Sequence, residues 1–160
     1  SVYGKTKREG ELNVLNNAKT AIIIRTAWLY SPYGGNFVKT MRKLGAERDE
    51  LRVIFDQIGT PTNAYDLAAA IVAILPQIKD GEKEIYHFTD EGVCSWYDFA
   101  LEIITQSALN CKVLPIETKD YPTPAHRPHY SVLNKAKIKQ RFNINIPHWK
   151  ESLKQCLKQF

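Results

Sequence analysis

Eight glycines are scattered through the 160 residues, at positions 4, 10, 34, 35, 45, 59, 81 and 92, and none of them forms a G-x-G-x-x-G turn. A dinucleotide pyrophosphate is usually cradled by such a turn between a strand and a helix, and that cradle is missing here. Cysteine is scarce too. Cys94, Cys111 and Cys156 are odd in number and carry no metal-ligand spacing. They argue against a disulfide framework or a zinc site and fit a reducing cytoplasm. No apolar run reaches the ~20 residues of a membrane span. The longest, around Ala21 to Ile24 and Ala68 to Leu75, are far shorter. The start shows no charged-then-apolar signal peptide. A cytoplasmic location without membrane attachment is therefore expected. Internal repeats, low-complexity runs and flexible linkers are also missing, so residues 1–160 are expected to form one unit.

What is present is an ordinary globular composition, 44% hydrophobic and 24% charged, in a chain long enough for a real core. The net charge of +5 is unevenly placed: from His126 to Phe160 eight Lys and Arg residues face one acid, Glu151. A basic segment can mark a nucleic-acid surface. Here, however, Lys150, Lys154 and Lys158 recur every four residues opposite Trp149, Leu153, Leu157 and Phe160. That is the solvated face of an amphipathic helix. No zinc-finger spacing or aromatic RNA-binding signature accompanies it, so no nucleic-acid partner is expected.

Short β-branched runs alternate with helical patterns. Residues 21–24, 51–55, 85–88 and 113–116 read as strands, the first with the unbroken apolar character of a strand covered on both faces of a parallel sheet. Helices are predicted over about 6–17, 36–48, 63–77, 95–107 and 135–141, and from Trp149 onward. Ser95 followed by Asp98 is a capping-box variant. The 63–77 helix is almost wholly apolar and should be a buried core element. Gly10 lowers helix propensity and should mark a close backbone approach. Residues 121–128 hold three prolines and should form an ordered irregular loop.

In open parallel sheets, ligands lie outside the carboxyl ends of the strands. Trp28 leaves the first strand and offers a broad apolar face, suited to a sugar ring or to core packing. Asn36 is a good N-cap, and free N–H groups at such a helix start can also bind a diphosphate. Asp56 and Gln57 leave the second strand, where polar groups suit a nucleotide base or sugar, or serve only as turn residues. Arg127 carries the planar fork that grips a phosphate bidentately and that suits a carboxylate equally.

The first dozen residues carry the sharpest chemistry. Of eight tyrosines, only Tyr3 has a lysine four positions later, Lys7. On a helix the two share a face one turn apart. A phenol titrates near ~10, and a neighbouring ammonium favours its anion, which tunes the pair to protonate a carbonyl oxygen.

Four runs occur in one order: Tyr3-Gly-Lys-Thr-Lys-Arg-Glu-Gly-Glu11, Ile24-Arg-Thr-Ala-Trp-Leu-Tyr-Ser31, Asp56-Gln-Ile-Gly-Thr-Pro-Thr62 and Arg127-Pro-His-Tyr-Ser-Val-Leu133. Together they resemble the dTDP-4-dehydrorhamnose reductases of the extended short-chain dehydrogenase/reductase superfamily. The likeness covers nearly the whole chain. Its Tyr-Lys pair is common to the superfamily, whereas the Asp-Gln-x-Gly-x-Pro-Thr run is much more particular.

The resemblance implies an α/β fold: the carboxyl-terminal part of a Rossmann-like parallel sheet plus a small α/β substrate-binding lobe. It implies reduction of dTDP-4-dehydro-L-rhamnose to dTDP-L-rhamnose with NADPH or NADH. In that reading Tyr3 and Lys7 are catalytic and touch the cofactor, and Trp28, Asn36, Gln57 and Arg127 contact the substrate. The family's cofactor turn and the Ser or Thr of its catalytic set precede the tyrosine, so the chain is expected to be a carboxyl-terminal half. Alone it should be inactive and should self-associate through the face left bare. No metal ligand is expected; the family's metal-linked dimer contacts cannot be placed on this sequence. Two other classes stay open. One branch of the family is a regulatory subunit of methionine adenosyltransferase, and nucleotide-sugar epimerases and dehydratases share the Tyr-Lys pair.

Overall fold

In a computed structural model of the chain, residues 1–121 and 127–160 are described. The elements of the first half are α1 (Val2–Asn17), β1 (Ala21–Arg25), β2 (Leu29–Tyr30), α2 (Phe37–Glu47), β3 (Glu50–Ile54), β4 (Ile58–Gly59), β5 (Thr62–Asn63) and α3 (Ala64–Ile74). Then follow β6 (Lys83–His87), β7 (Cys94–Ser95), α4 (Trp96–Gln106), β8 (Lys112–Ile116), α5 (Ala136–Phe142) and α6 (Trp149–Leu157). Short 3-10 turns lie at Leu75–Gln77 and Thr118–Asp120. The fold is α/β. Its two long pairings, β1 with β6 and β3 with β8, are both parallel, the first as the unbroken apolar run at 21–24 predicts.

Each parallel pair organises its own core. Around β3 and β8, helices α2, α4 and α6 bury Val38, Val53, Phe99, Ile103 and Leu153. Around β6, helices α3 and α5 bury Ala70, Ile74, Phe88, Ile138 and Phe142. Helix α4 shows how local sequence sets this up. The Ser95 hydroxyl accepts the Asp98 N–H at 3.0 Å, and the Asp98 carboxylate accepts the Ser95 N–H at 2.9 Å, closing the predicted capping box. Apolar residues at 99, 100, 103 and 104 then fall on one face, and all four are buried. Gly45 of α2 lets that helix approach closely, because a Cβ there would collide with the Ile104 side chain.

The basic carboxyl-terminal segment is largely neutralised within the chain. Lys137 pairs with Glu84 at 2.6 Å, Lys139 with Glu91 at 2.8 Å, Arg141 with Glu82 at 2.9 Å and Lys150 with Glu102 at 2.9 Å. Helix α6 buries Trp149, Leu153 and Cys156 as its apolar stripe requires.

Three expectations change. Helix α3 is not a buried element: Ala70 and Ile74 are buried, but Ile71, Val72 and Leu75 are exposed. A helix that is apolar all round needs neighbours on every side, and within this chain α3 packs through one face only. Gly10 meets nothing within 4 Å of an added Cβ, so no close approach explains it. Helix α1 begins at Val2 rather than near residue 6, because the Ser1 hydroxyl caps it by accepting the Gly4 N–H at 3.2 Å. The expected irregular loop at 121–128 lies mostly outside the described residues.

Candidate active site

The carboxyl end of β1 is where the first candidates gather. Helix α1 and β1 form a hairpin fastened by a bidentate ion pair, with the Arg25 guanidinium donating to both Glu11 oxygens at 2.6 Å. The Arg25 hydrogen bond holds the Glu11 carboxyl below the usual range, against a smaller opposing effect of burial. Arg25 ends the strand, so α1 continues past the sheet. Tyr3 stands roughly two turns, or ~12 Å, beyond Glu11 along the helix. It is 72% exposed. Lys7 places its Nζ 5.5 Å from the Tyr3 ring centroid, within cation–π range. The predicted pair therefore exists as a solvent-facing unit beyond the carboxyl end of a parallel strand.

A second feature lies between α2 and β3. A cleft of about 700 Å³ is lined by Phe37, Trp96 and Leu44 on its apolar side and by Gln57, Arg52, Tyr121 and Arg127 among its polar groups. Gln57 is buried, and its Nε2 donates to the Thr118 hydroxyl at 3.1 Å. That hydroxyl donates in turn to Asp56 at 2.7 Å, and the Thr118 N–H adds a second bond at 2.9 Å. Burial pushes the Asp56 carboxyl up, but the two Thr118 bonds together hold it below its ordinary value. Asp56 thus braces Gln57 from behind. The segment that delivers Arg127 is stitched to β4: the Ile58 N–H donates to His129 O at 2.8 Å and the Ser131 N–H to Ile58 O at 2.9 Å.

Trp28 lies one ring behind the cleft wall, stacked on Trp96 at 3.6 Å between centroids and 15° between planes. Its φ of 48° is left-handed, which an aromatic residue adopts at a penalty of about 1–3 kcal/mol. The stack and the Thr62 N–H bond to Trp28 O at 3.1 Å hold it there. Gly59 completes the seat, since a Cβ would come 2.7 Å from the indole. This explains the glycine of the Asp56–Thr62 run.

Of the predicted site residues, the cleft brings together Gln57 and Arg127 and sets Trp28 at its back. Asn36 is a cap: its Nδ2 donates to Ser31 O at 2.7 Å and its Oδ1 accepts the Lys39 N–H at 3.2 Å. Tyr3 and Lys7 do not line the cleft. Trp96, Phe37 and Arg52 went unrecognised, since an aromatic after a cap and an arginine in a strand give no local signal of a ligand. Among the described residues no cluster of three or more His, Cys, Asp or Glu could hold a metal ion, and no helix is long and apolar enough to cross a membrane.

The RmlD substrate binding domain family matches residues 1–160. The chain belongs to that family. A dTDP-4-dehydrorhamnose reductase of Aggregatibacter actinomycetemcomitans is 45% identical over 163 residues, covering 96% of this chain and 55% of that protein. Among solved structures, a dTDP-4-dehydrorhamnose reductase of Clostridium acetobutylicum superposes with a TM-score of 0.91 at 44% identity, over 99% of this chain and 55% of the other. The Bacillus anthracis reductase in complex with NADP gives 0.94 at 36% identity, over 100% of this chain and 56% of the other. The chain thus spans about half the length of the relatives it matches. Its fold is that half of the Rossmann-like architecture seen in both reductase structures.

Proposed function

We propose that these 160 residues provide the proton donor and the sugar-nucleotide lobe of a longer reductase that converts dTDP-4-dehydro-L-rhamnose to dTDP-L-rhamnose with NADPH or NADH. The observation that carries this is the exposed Tyr3–Lys7 pair beyond the end of a parallel strand, in a chain of the RmlD substrate binding domain family. Reductase names among the relatives, and NADP in one of their structures, support the chemistry.

A phenol and an ammonium one turn apart and open to solvent fit the nicotinamide-ribose end of such a cofactor. No glycine turn among these residues fits its pyrophosphate. When bound, the cofactor supplies a hydride to the carbonyl carbon. Tyr3 gives its hydroxyl proton to the carbonyl oxygen, and Lys7 holds the cofactor ribose. Gln57, fixed by Thr118, reads a polar edge of the nucleotide; Arg127 grips the diphosphate. Trp28 backs the sugar side, and Asn36 keeps the α2 start in place beside it. The bare faces of α1 and α3 are assigned to contact with the remainder of the longer chain, so the isolated 160 residues self-associate and do not turn over.

In the protein extended to the length of its relatives, Tyr3→Phe lowers kcat by ~10²–10⁴ while KM for the sugar nucleotide changes little. Steady-state kinetics reads both constants. A variant that keeps its kcat removes Tyr3 from the role.

A further inference from the structure

Behind the wall of the cleft, three side chains form a line of hydrogen bonds that fixes the direction of an amide. Gln57 lines the cleft, whereas Asp56 and Thr118 do not. The parallel register of β3 and β8 sets Ile54 opposite Ile116, and two residues further on it brings Asp56 beside Thr118. The Thr118 hydroxyl lies 2.7 Å from Asp56 Oδ1 and 3.1 Å from Gln57 Nε2. The Thr118 N–H gives the same carboxylate oxygen a second bond at 2.9 Å.

The direction of each bond follows from what the groups can do. An ionised carboxylate only accepts. Asp56 is surrounded as a carboxylate: two Thr118 donors meet Oδ1, and the His129 ring stands 3.6 Å from Oδ2. The Thr118 hydroxyl has one hydrogen, and the shorter contact directs it to Asp56. Towards Gln57 that oxygen can then only accept. Gln57 must therefore turn its NH2 to Thr118, whichever way an isolated amide would sit. This leaves the carbonyl oxygen as the prong open to a ligand, with no donor to it among the described residues. Gln57 is 4% exposed, so its side chain has little room to swing.

We propose that Asp56 and Thr118 are positioning residues that make Gln57 present an acceptor, so that the cleft selects a nucleobase with an N–H donor on its pairing edge. This rests on the reading of the cleft as the nucleotide site. Thymine and uracil carry one N–H on that edge, at N3, and it can donate to the Gln57 oxygen. Cytosine has a bare lone pair at the same place and would meet the oxygen acceptor to acceptor. A polar group left unpaired in an enclosed site costs affinity. Phe37, Leu44 and Trp96, on the apolar side of the cleft, suit the flat face of such a ring.

Titration calorimetry of the protein extended to the length of its relatives, with dTDP, dUDP and dCDP, tests this. The last two both lack the thymine methyl, so their ratio isolates the pairing edge. dUDP should bind about 10–100-fold more tightly than dCDP. Thr118→Val removes the hydroxyl and frees the amide to turn, so most of that preference should be lost. Thr118→Ser keeps the hydroxyl and should keep the preference. A residue that only stabilised the fold would weaken all the ligands together and leave the ratio unchanged. If dUDP binds no better than dCDP, or the preference survives Thr118→Val, the relay is overturned. If dTDP does not bind at all, the nucleotide reading of the cleft falls with it. Should Thr118→Val fail to fold, N3-methylthymidine diphosphate on the native protein decides instead. Binding weakened by a similar factor relative to dTDP supports the relay, and equal binding overturns it.

Discussion

Helices α3 and α4 are both strongly apolar eleven-residue helices, yet only one is enclosed. In α4 most of the apolar residues gather on one face, with Phe99, Ala100, Ile103 and Ile104 all buried and Leu101 left exposed. In α3 they run round the whole helix, and beyond Ala70 and Ile74 that surface faces outward, with Val72 68% exposed. Helix α1 is the extreme case and buries no residue at all. Hydrophobicity sets how much a helix gains from a partner; it does not supply the partner. The lobe of α2, α4 and α6 is closed on itself, whereas α1, which carries the candidate proton donor, and α3 each offer open surface.

The sharpest way to break this contrast is to truncate one side chain on each helix. Phe99→Ala, in contact with Tyr30, Phe37 and Trp149, should lower stability by about 3–5 kcal/mol in urea unfolding. A loss under 1 kcal/mol would mean that the lobe is looser than its packing. Gly59→Ala tests the seam between lobe and site: its Cβ forces Trp28 or Ser131 to move. A loss of about 1–3 kcal/mol is expected, with the Trp28 fluorescence signal shifted. Glu11→Gln removes the fastening of α1 to β1. It should cost at most about 1 kcal/mol, since Arg25 is partly exposed. Because the Glu11 carboxyl is held low, the native pair contributes above the ordinary carboxylate range and loses its contribution as pH falls. The difference between native and variant should therefore be present at neutral pH and vanish in acid. The smallest effect on stability belongs to Val72→Asp, within about 0.5 kcal/mol as for other surface changes. Its readout is sedimentation: self-association through α3 should weaken, and unchanged association would move the sticky face elsewhere.

Local signals were legible wherever one residue type solves one backbone problem. The Ser95–Asp98 capping box, the Asn36 cap and the parallel strands at 21–25 and 50–54 follow from hydrogen-bonding groups and side-chain period alone. The Tyr3–Lys7 pair was legible too, because four-residue spacing on a helix needs no tertiary information. Trp96 was not. Its place on the cleft wall depends on Trp28 turning into a left-handed conformation over Gly59, residues far apart in sequence.

By itself the sequence determined the α/β class, the order of helices and strands, the Tyr3–Lys7 pairing on one helix face and the family, all of which depend on spacing along the chain. Tertiary structure decided what spacing cannot carry. It joined Gln57, Arg127 and Trp96 around one cleft and paired the basic helix α5 with Glu84 of β6 and with Glu82 and Glu91 on either side of that strand. It left the most apolar helix half bare. Burial and partner choice are properties of surfaces that meet only once the chain has folded.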